Sequence, residues 1–136
     1  MFSNVLVALK ESVPHEPLIE LATKAATDRA QLHLVTLVRV GLERDELERL
    51  RQVEADLTGA ADVLRDAGYD ATWEANLLAV SAAVDLIDIA ERRAADLLVI
   101  GLAKRTRVGK ALMGSDAQRV LLSASCPVLV RQLHGL

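Results

Sequence analysis

Short apolar runs alternate along this chain with longer stretches whose apolar residues recur every three or four positions, and few folds accommodate that alternation. Residues 4–9 (Asn-Val-Leu-Val-Ala-Leu) are almost wholly apolar before Lys10-Glu11-Ser12 breaks the run; a strand buried on both faces reads this way. From Pro14 or Glu16 the residues Leu18, Leu21, Ala22 and Ala25, with the stem of Arg29, recur at helical spacing, and Ser12 or the Pro14 region would start that helix. Residues 32–38 form a second apolar run, interrupted by His33 and Thr36. Over 43–67, Leu47, Leu50, Val53, Leu57, Ala60, Ala61 and Leu64 make one stripe opposite a face dense in Glu, Asp and Arg. Gly68 just beyond it suits the residue that follows a helix C-terminus.

The second half repeats the scheme. Residues 70–77 alternate, with Ala71, Trp73, Ala75 and Leu77 against Thr72, Glu74 and Asn76, as in a half-exposed strand at a sheet edge. Residues 81–94 predict an alanine-rich helix with Val84, Ile87 and Ala90 inward and Asp88 paired to Arg92 outward. A fourth strand is expected over 96–100, a helix over 115–124 and a fifth strand over 128–130. Strands separated by helices must run parallel, with right-handed crossovers. The expectation is a five-stranded doubly wound sheet with helices on both faces, in one domain over residues 1–136. No linker, internal repeat or low-complexity tract interrupts it.

Composition narrows the function classes. With 51% hydrophobic and 26% charged residues the chain is ordinary globular protein, long enough to bury a core. A net charge of −3 and only three aromatics (Phe2, Tyr69, Trp73) argue against nucleic acid as the partner. The lone Cys126 excludes an internal disulfide, fits a reducing compartment and reads as a buried small hydrophobe. No apolar run approaches the ~20 residues of a membrane span, and the start lacks a signal-peptide core. No membrane association and a cytoplasmic location are therefore expected.

Charge is unevenly placed. Residues 101–115 hold Lys104, Arg105, Arg107 and Lys110 without an acid, so that stretch carries +4 and the remainder −7. An apolar run ending at Gly101, a dozen-residue cationic loop over 102–113, and a helix opening at Gly114-Ser115 are the parts of an anion site at the carboxyl end of a strand. Ser115-x-x-Gln118 reads equally as a capping box, and Asp116 would complement the helix dipole while weakening anion binding. Lys104-x4-Gly109-Lys110-Ala111 fails as a phosphate-binding P-loop, having Lys104 for its first glycine and Ala111 for its magnesium-binding hydroxyl. His15, His33 and His134 show no metal-binding spacing and read as surface or strand-end residues. Lys10 and Glu11, at the end of the first strand, either line the cleft between strands one and four or face water.

Gly101-x2-Lys104-x9-Gly114-Ser115, followed by a helix and by Cys126-Pro-Val-Leu-Val, resembles the universal stress protein family, which carries Gly-x2-Gly-x9-Gly-(Ser/Thr) here. Val5-Leu-Val-Ala-Leu and Ala95-Asp-Leu-Leu-Val-Ile-Gly101 extend the resemblance along the whole chain. It implies a Rossmann-like α/β fold of strand order 3-2-1-4-5 that binds an adenine nucleotide, ATP foremost, with Mg2+. Gly101, Gly114 and Ser115 are the matching phosphate-side positions, with Lys104 and Arg105 supplying charge. Ala8 and Leu37 would be the apolar contacts to adenine.

Three positions depart from the family's pattern. Lys104 replaces its second glycine; a φ above zero there would cost lysine about 1 kcal/mol, or else the ammonium meets the phosphates directly. Lys10 stands where nucleotide-binding members place an Asp against the adenosine. Ala79-Val80-Ser81 stands where a glycine usually follows strand three. The alternative implied is a dimeric stress-response adaptor without nucleotide. No general base with a placed water can be named, so at most slow ATP hydrolysis is expected. Family members commonly dimerise through the last strand, here Val128, Leu129 and Val130, an apolar edge that calls for covering.

Overall fold

The computed structural model describes residues 1–11, 13–41, 45–103 and 115–133. Its elements run β1 (Phe2–Ala8), α1 (Glu16–Ala25), β2 (Ala26–Val38), α2 (Glu46–Asp66), β3 (Asp70–Leu77), α3 (Ala82–Arg92), β4 (Leu97–Ala103), α4 (Ser115–Ser123) and β5 (Val128–Leu133). All strands are parallel, in the order β3-β2-β1-β4-β5. The doubly wound sheet and the edge position of β3 are as the alternation predicts.

Register divides the core into two. Val5 pairs with Leu32 and Leu97, and Val7 with Leu34 and Val99. These side chains meet Leu18 and Ala22 of α1 and Val53, Leu57, Ala61 and Leu64 of α2. On the other face Leu6, Val35, Leu98 and Ile100 pack against Ala83, Leu86, Ile89 and Ala90 of α3 and Val120 of α4. Each fully buried leucine, such as Leu57, contributes about 2–3 kcal/mol of transfer free energy.

The ends of the elements are held by specific bonds. After α2, Gly68 has φ +100, its N–H donates to the Arg65 carbonyl and that of Tyr69 to the Leu64 carbonyl, both at 3.0 Å. That is a Schellman termination, and only glycine adopts its backbone without strain. At the amino edge of the sheet the Asp96 carboxylate accepts from the backbone N–H of Ser3 and of Asn4, each at 3.0 Å. Asn4 in turn donates its amide to the carbonyls of Arg93 (2.7 Å) and Ala94 (2.9 Å). This latch clamps β1 to β4 at one end, leaving their carboxyl ends as the side where the strands open.

Several sequence expectations change. Arg29 is not on α1, which stops at Ala25; it sits in β2 with φ 61, where the pairing of β1 slips from Phe2↔Ala26 to Asn4↔Gln31. Leu47 does not join the α2 stripe and is 60% exposed. The inward face of α3 is Ala83, Leu86, Ile89 and Ala90, with Val84 and Ile87 half-buried. Apolar residues at nearly every turn position gave that helix two possible stripes, and the sheet selected the one led by small Ala83. β4 and β5 run three residues further than expected because Gly101↔Arg131, Leu102↔Gln132 and Ala103↔Leu133 extend the ladder. Leu102 and Ala103 are therefore strand and not loop, and the remainder of the expected loop, 104–113, lies outside the described residues.

Candidate functional site

A cavity of about 490 Å3 lies at the carboxyl ends of β1, β2 and β4, where neighbouring β1 and β4 send their chains to opposite sheet faces. Open α/β sheets bind ligands at such a switch point. Ala8, Val35 and Ile100 form an apolar floor with Leu37, and Leu86 of α3 closes one side. Ala8 and Leu37 belong to the face covered by α3 and α4.

Gly101 sits on the other face. A Cβ there would come within 2.7 Å of Leu133 Cδ1 and 3.1 Å of Leu18 Cδ1. A side chain here would have to displace Leu133 and Leu18, so the packing of β5 and α1 favours glycine at this position, whatever its part in binding. The residue also lines the cavity.

Charge at the rim is arranged by α2. Arg49 donates to both Glu11 oxygens at 2.8 Å and to the Arg39 carbonyl at 3.3 Å, tying the tips of β1 and β2 together. The hydrogen bond from Arg49, aided by its charge and opposed by burial, holds the Glu11 carboxyl below its usual range. Lys10 and Arg39 also line the cavity, are exposed, and form no ion pair among the described residues. On the far side Asp116 and Ala117, in the first turn of α4, reach the wall.

Of the residues singled out in the sequence, Ala8, Lys10, Leu37 and Gly101 are thus brought to one cavity. Ser115 opens α4 but is exposed and is not part of the wall, and no bond joins it to Gln118, so the expected capping box is not formed. The helix counts Ser115 as its first residue rather than as the cap. Lys104, Arg105 and Gly114 lie outside the described residues. Sequence reasoning missed Arg39 and Arg49; Arg39 follows Leu37 by two positions, the spacing that keeps a strand residue on one face.

The rim after β3 is also fixed. Ser81 Oγ caps α3 by accepting from Val84 N at 3.2 Å, and Asp85 accepts from the N–H of Ala79 (2.8 Å) and Val80 (3.2 Å). These bonds hold the 79–81 turn without the glycine usual in the resembled pattern.

A model of the universal stress protein family matches residues 1–131. The chain belongs to that family. A universal stress protein of Mycolicibacterium smegmatis is 46% identical over 56 residues, which are 41% of this chain and 43% of that protein. The aligned part is thus less than half of that relative. Among solved structures, the universal stress protein from Archaeoglobus fulgidus in complex with dAMP superposes with a TM-score of 0.62 at 21% identity, covering 93% of this chain and 95% of the other. A universal stress protein in complex with cAMP gives 0.68 at 21% identity, covering 96% and 97%. At these identities the superpositions establish the universal stress protein fold.

A second polar cluster lies on the α3 side of β2 and β3, away from the cavity. His33 is only 3% exposed, which corrects its reading as a surface or strand-end residue. Its Nδ1 is 2.6 Å from Thr72 Oγ1 and its Nε2 2.9 Å from Glu74 Oε2. An ionised Glu74 can only accept, so the neutral ring donates from Nε2 to it and Nδ1 accepts the Thr72 hydroxyl proton, while Arg93 donates to Thr72 Oγ1 at 3.2 Å. Burial pushes His33 below its ordinary value, and the Glu74 bond only partly offsets it. Burial pulls Glu74 upward, but the hydrogen bonds from His33 and Asn76 and the positive charge of Arg92 prevail and hold it low. Cys126 is half-buried beside the same layer, its thiol pushed up by burial and by the Asp96 charge, and so is no reactive thiolate.

Proposed function

We propose that this single domain is a stress-response protein that binds an adenine nucleotide, ATP foremost, in the cavity over β1 and β4. The observation that carries this reading is a cavity of about 490 Å3 at the switch point, with an apolar floor and a charged rim. The base would lie on Ala8 and Leu37. Lys10 lies beside them on the rim, while the backbone at Gly101 and the start of α4 would face the phosphates; Lys104, Arg105, Gly114 and Ser115 are assigned to the phosphate side from the sequence motif alone. The dAMP and cAMP complexes of fold relatives support an adenine ligand for this site class. Titration calorimetry with ATP, with and without Mg2+, tests it; saturable heat is expected, and none at millimolar nucleotide overturns it.

One observation favours a second reading, a dimeric adaptor without nucleotide. Val40, Leu77 and Val80 are exposed apolar residues at the carboxyl ends of β2 and β3, a surface suited to protein contact. In either reading β5, the free edge beyond β4, carries the homodimer contact through Val128, Leu129 and Val130. Nucleotide retained by the protein as isolated from cells would rule the adaptor reading out.

A further inference from the structure

The cavity has two separated places for negative charge, and a nucleotide with phosphates on one end only fills one of them. Along the sheet, the wall runs from β2 (Leu37, Arg39) through β1 (Ala8, Lys10) to β4 (Ile100, Gly101) and α4. Those outer strands stand two strand spacings apart, about 10 Å. The apolar floor lies between them. At the β4 end is the amino terminus of α4, whose dipole favours an anion while Asp116 in its first turn offsets part of that attraction. At the β1–β2 end are Lys10 and Arg39.

The acids nearby do not satisfy those two cations. Glu11 is engaged in a bidentate pair with Arg49, and Asp116 is across the cavity on α4. Arg49 also bonds the Arg39 carbonyl, which fixes the backbone from which the Arg39 side chain extends. The free positive charge on the described wall therefore sits on the side away from α4. A base resting on that floor would leave its ribose between the two ends, so that a 5′-phosphate directed to α4 would turn the 2′- or 3′-oxygen toward Lys10 and Arg39.

The geometry points to a ligand phosphorylated on the ribose 2′- or 3′-oxygen as well as at the 5′ position, with Lys10 and Arg39 as the specificity-determining residues. This rests on the nucleotide reading of the same cavity. The test is calorimetric titration of the full chain, at one ionic strength, with adenosine 5′-monophosphate, adenosine 2′,5′-bisphosphate and adenosine 3′,5′-bisphosphate. One of the bisphosphates is expected to bind at least about tenfold more tightly than the monophosphate, of the order that one added charge-assisted contact gives. The double variant Lys10→Ala/Arg39→Ala should reduce that ratio to about twofold, and Lys24→Ala, a cation of α1 paired with Glu20, should leave it unchanged. Lys10→Arg should keep most of it. Monophosphate binding with no preference for either bisphosphate overturns this inference and leaves the nucleotide reading standing. A preference that Lys24→Ala lowers as much as the double variant also overturns it, because net charge and not position would then be responsible. Binding of none of the three removes both.

Discussion

Replacing Gly101 by alanine tests why this strand carries a glycine at its turning point. The backbone there is not in the left-handed region, so the cost comes from contact alone. The added methyl would lie 2.7 Å from Leu133 Cδ1, 3.1 Å from Leu18 Cδ1 and 3.3 Å from Leu133 Cγ. Leu133 is 8% exposed and Leu18 3%, so both have little room to turn away. Overpacking of this kind costs about 1–3 kcal/mol, and the stiffer unfolded chain returns about 0.5–1. The net expectation is a loss of about 1–2 kcal/mol, or about 5 °C in Tm for a chain of this length. Leu133→Ala alone should cost about 2 kcal/mol. In the double variant the alanine methyl occupies space that Leu133 vacated, so the combined loss should be at least about 1 kcal/mol smaller than the two single losses together. Urea denaturation of the four proteins at constant m-value measures this. A neutral Gly101→Ala, or losses additive within about 0.3 kcal/mol, would refute the steric account. The double variant then separates stability from binding, since nucleotide affinity measured in it reports whether a ligand also needs the bare backbone at 101.

Two further outcomes are expected. Asp96→Ala removes an ionised acceptor from two backbone N–H groups of β1 and should cost about 2–3 kcal/mol, whereas Asp96→Asn, which keeps one carbonyl, should lose roughly half of that; equal and negligible losses in urea melts would show the latch to be idle. Acid should weaken the fold in two windows. His33 takes up its proton at lower pH when folded than the 6.5 of the free side chain, so its contribution is intact above 6.5 and declines as pH falls below it toward the folded value. Glu74 and Glu11 are held below 4.5, so theirs persists above that and is lost as pH falls through their lowered values. The upper step should vanish in His33→Gln, and a Tm unchanged between pH 7.5 and 5.5 in the parent chain would contradict the assignment.

Local pattern alone determined the alternation of strand and helix, the edge position of β3, the glycine termination of α2 and, through the Gly101 to Val130 motif, the family. Those features depend on side-chain periodicity and backbone preference, which act over a few residues. Tertiary structure decided the rest. The glycine at 101 answers to Leu133 and Leu18, which only sheet pairing and helix packing bring against it. Glu11 meets Arg49 across 38 positions, and His33 meets Thr72 and Glu74 across 39 and 41. The alanine-rich α3 could present either of two stripes until the sheet chose one. Burial and pairing of charge are properties of neighbours in space, and periodicity carries no record of which neighbours those are.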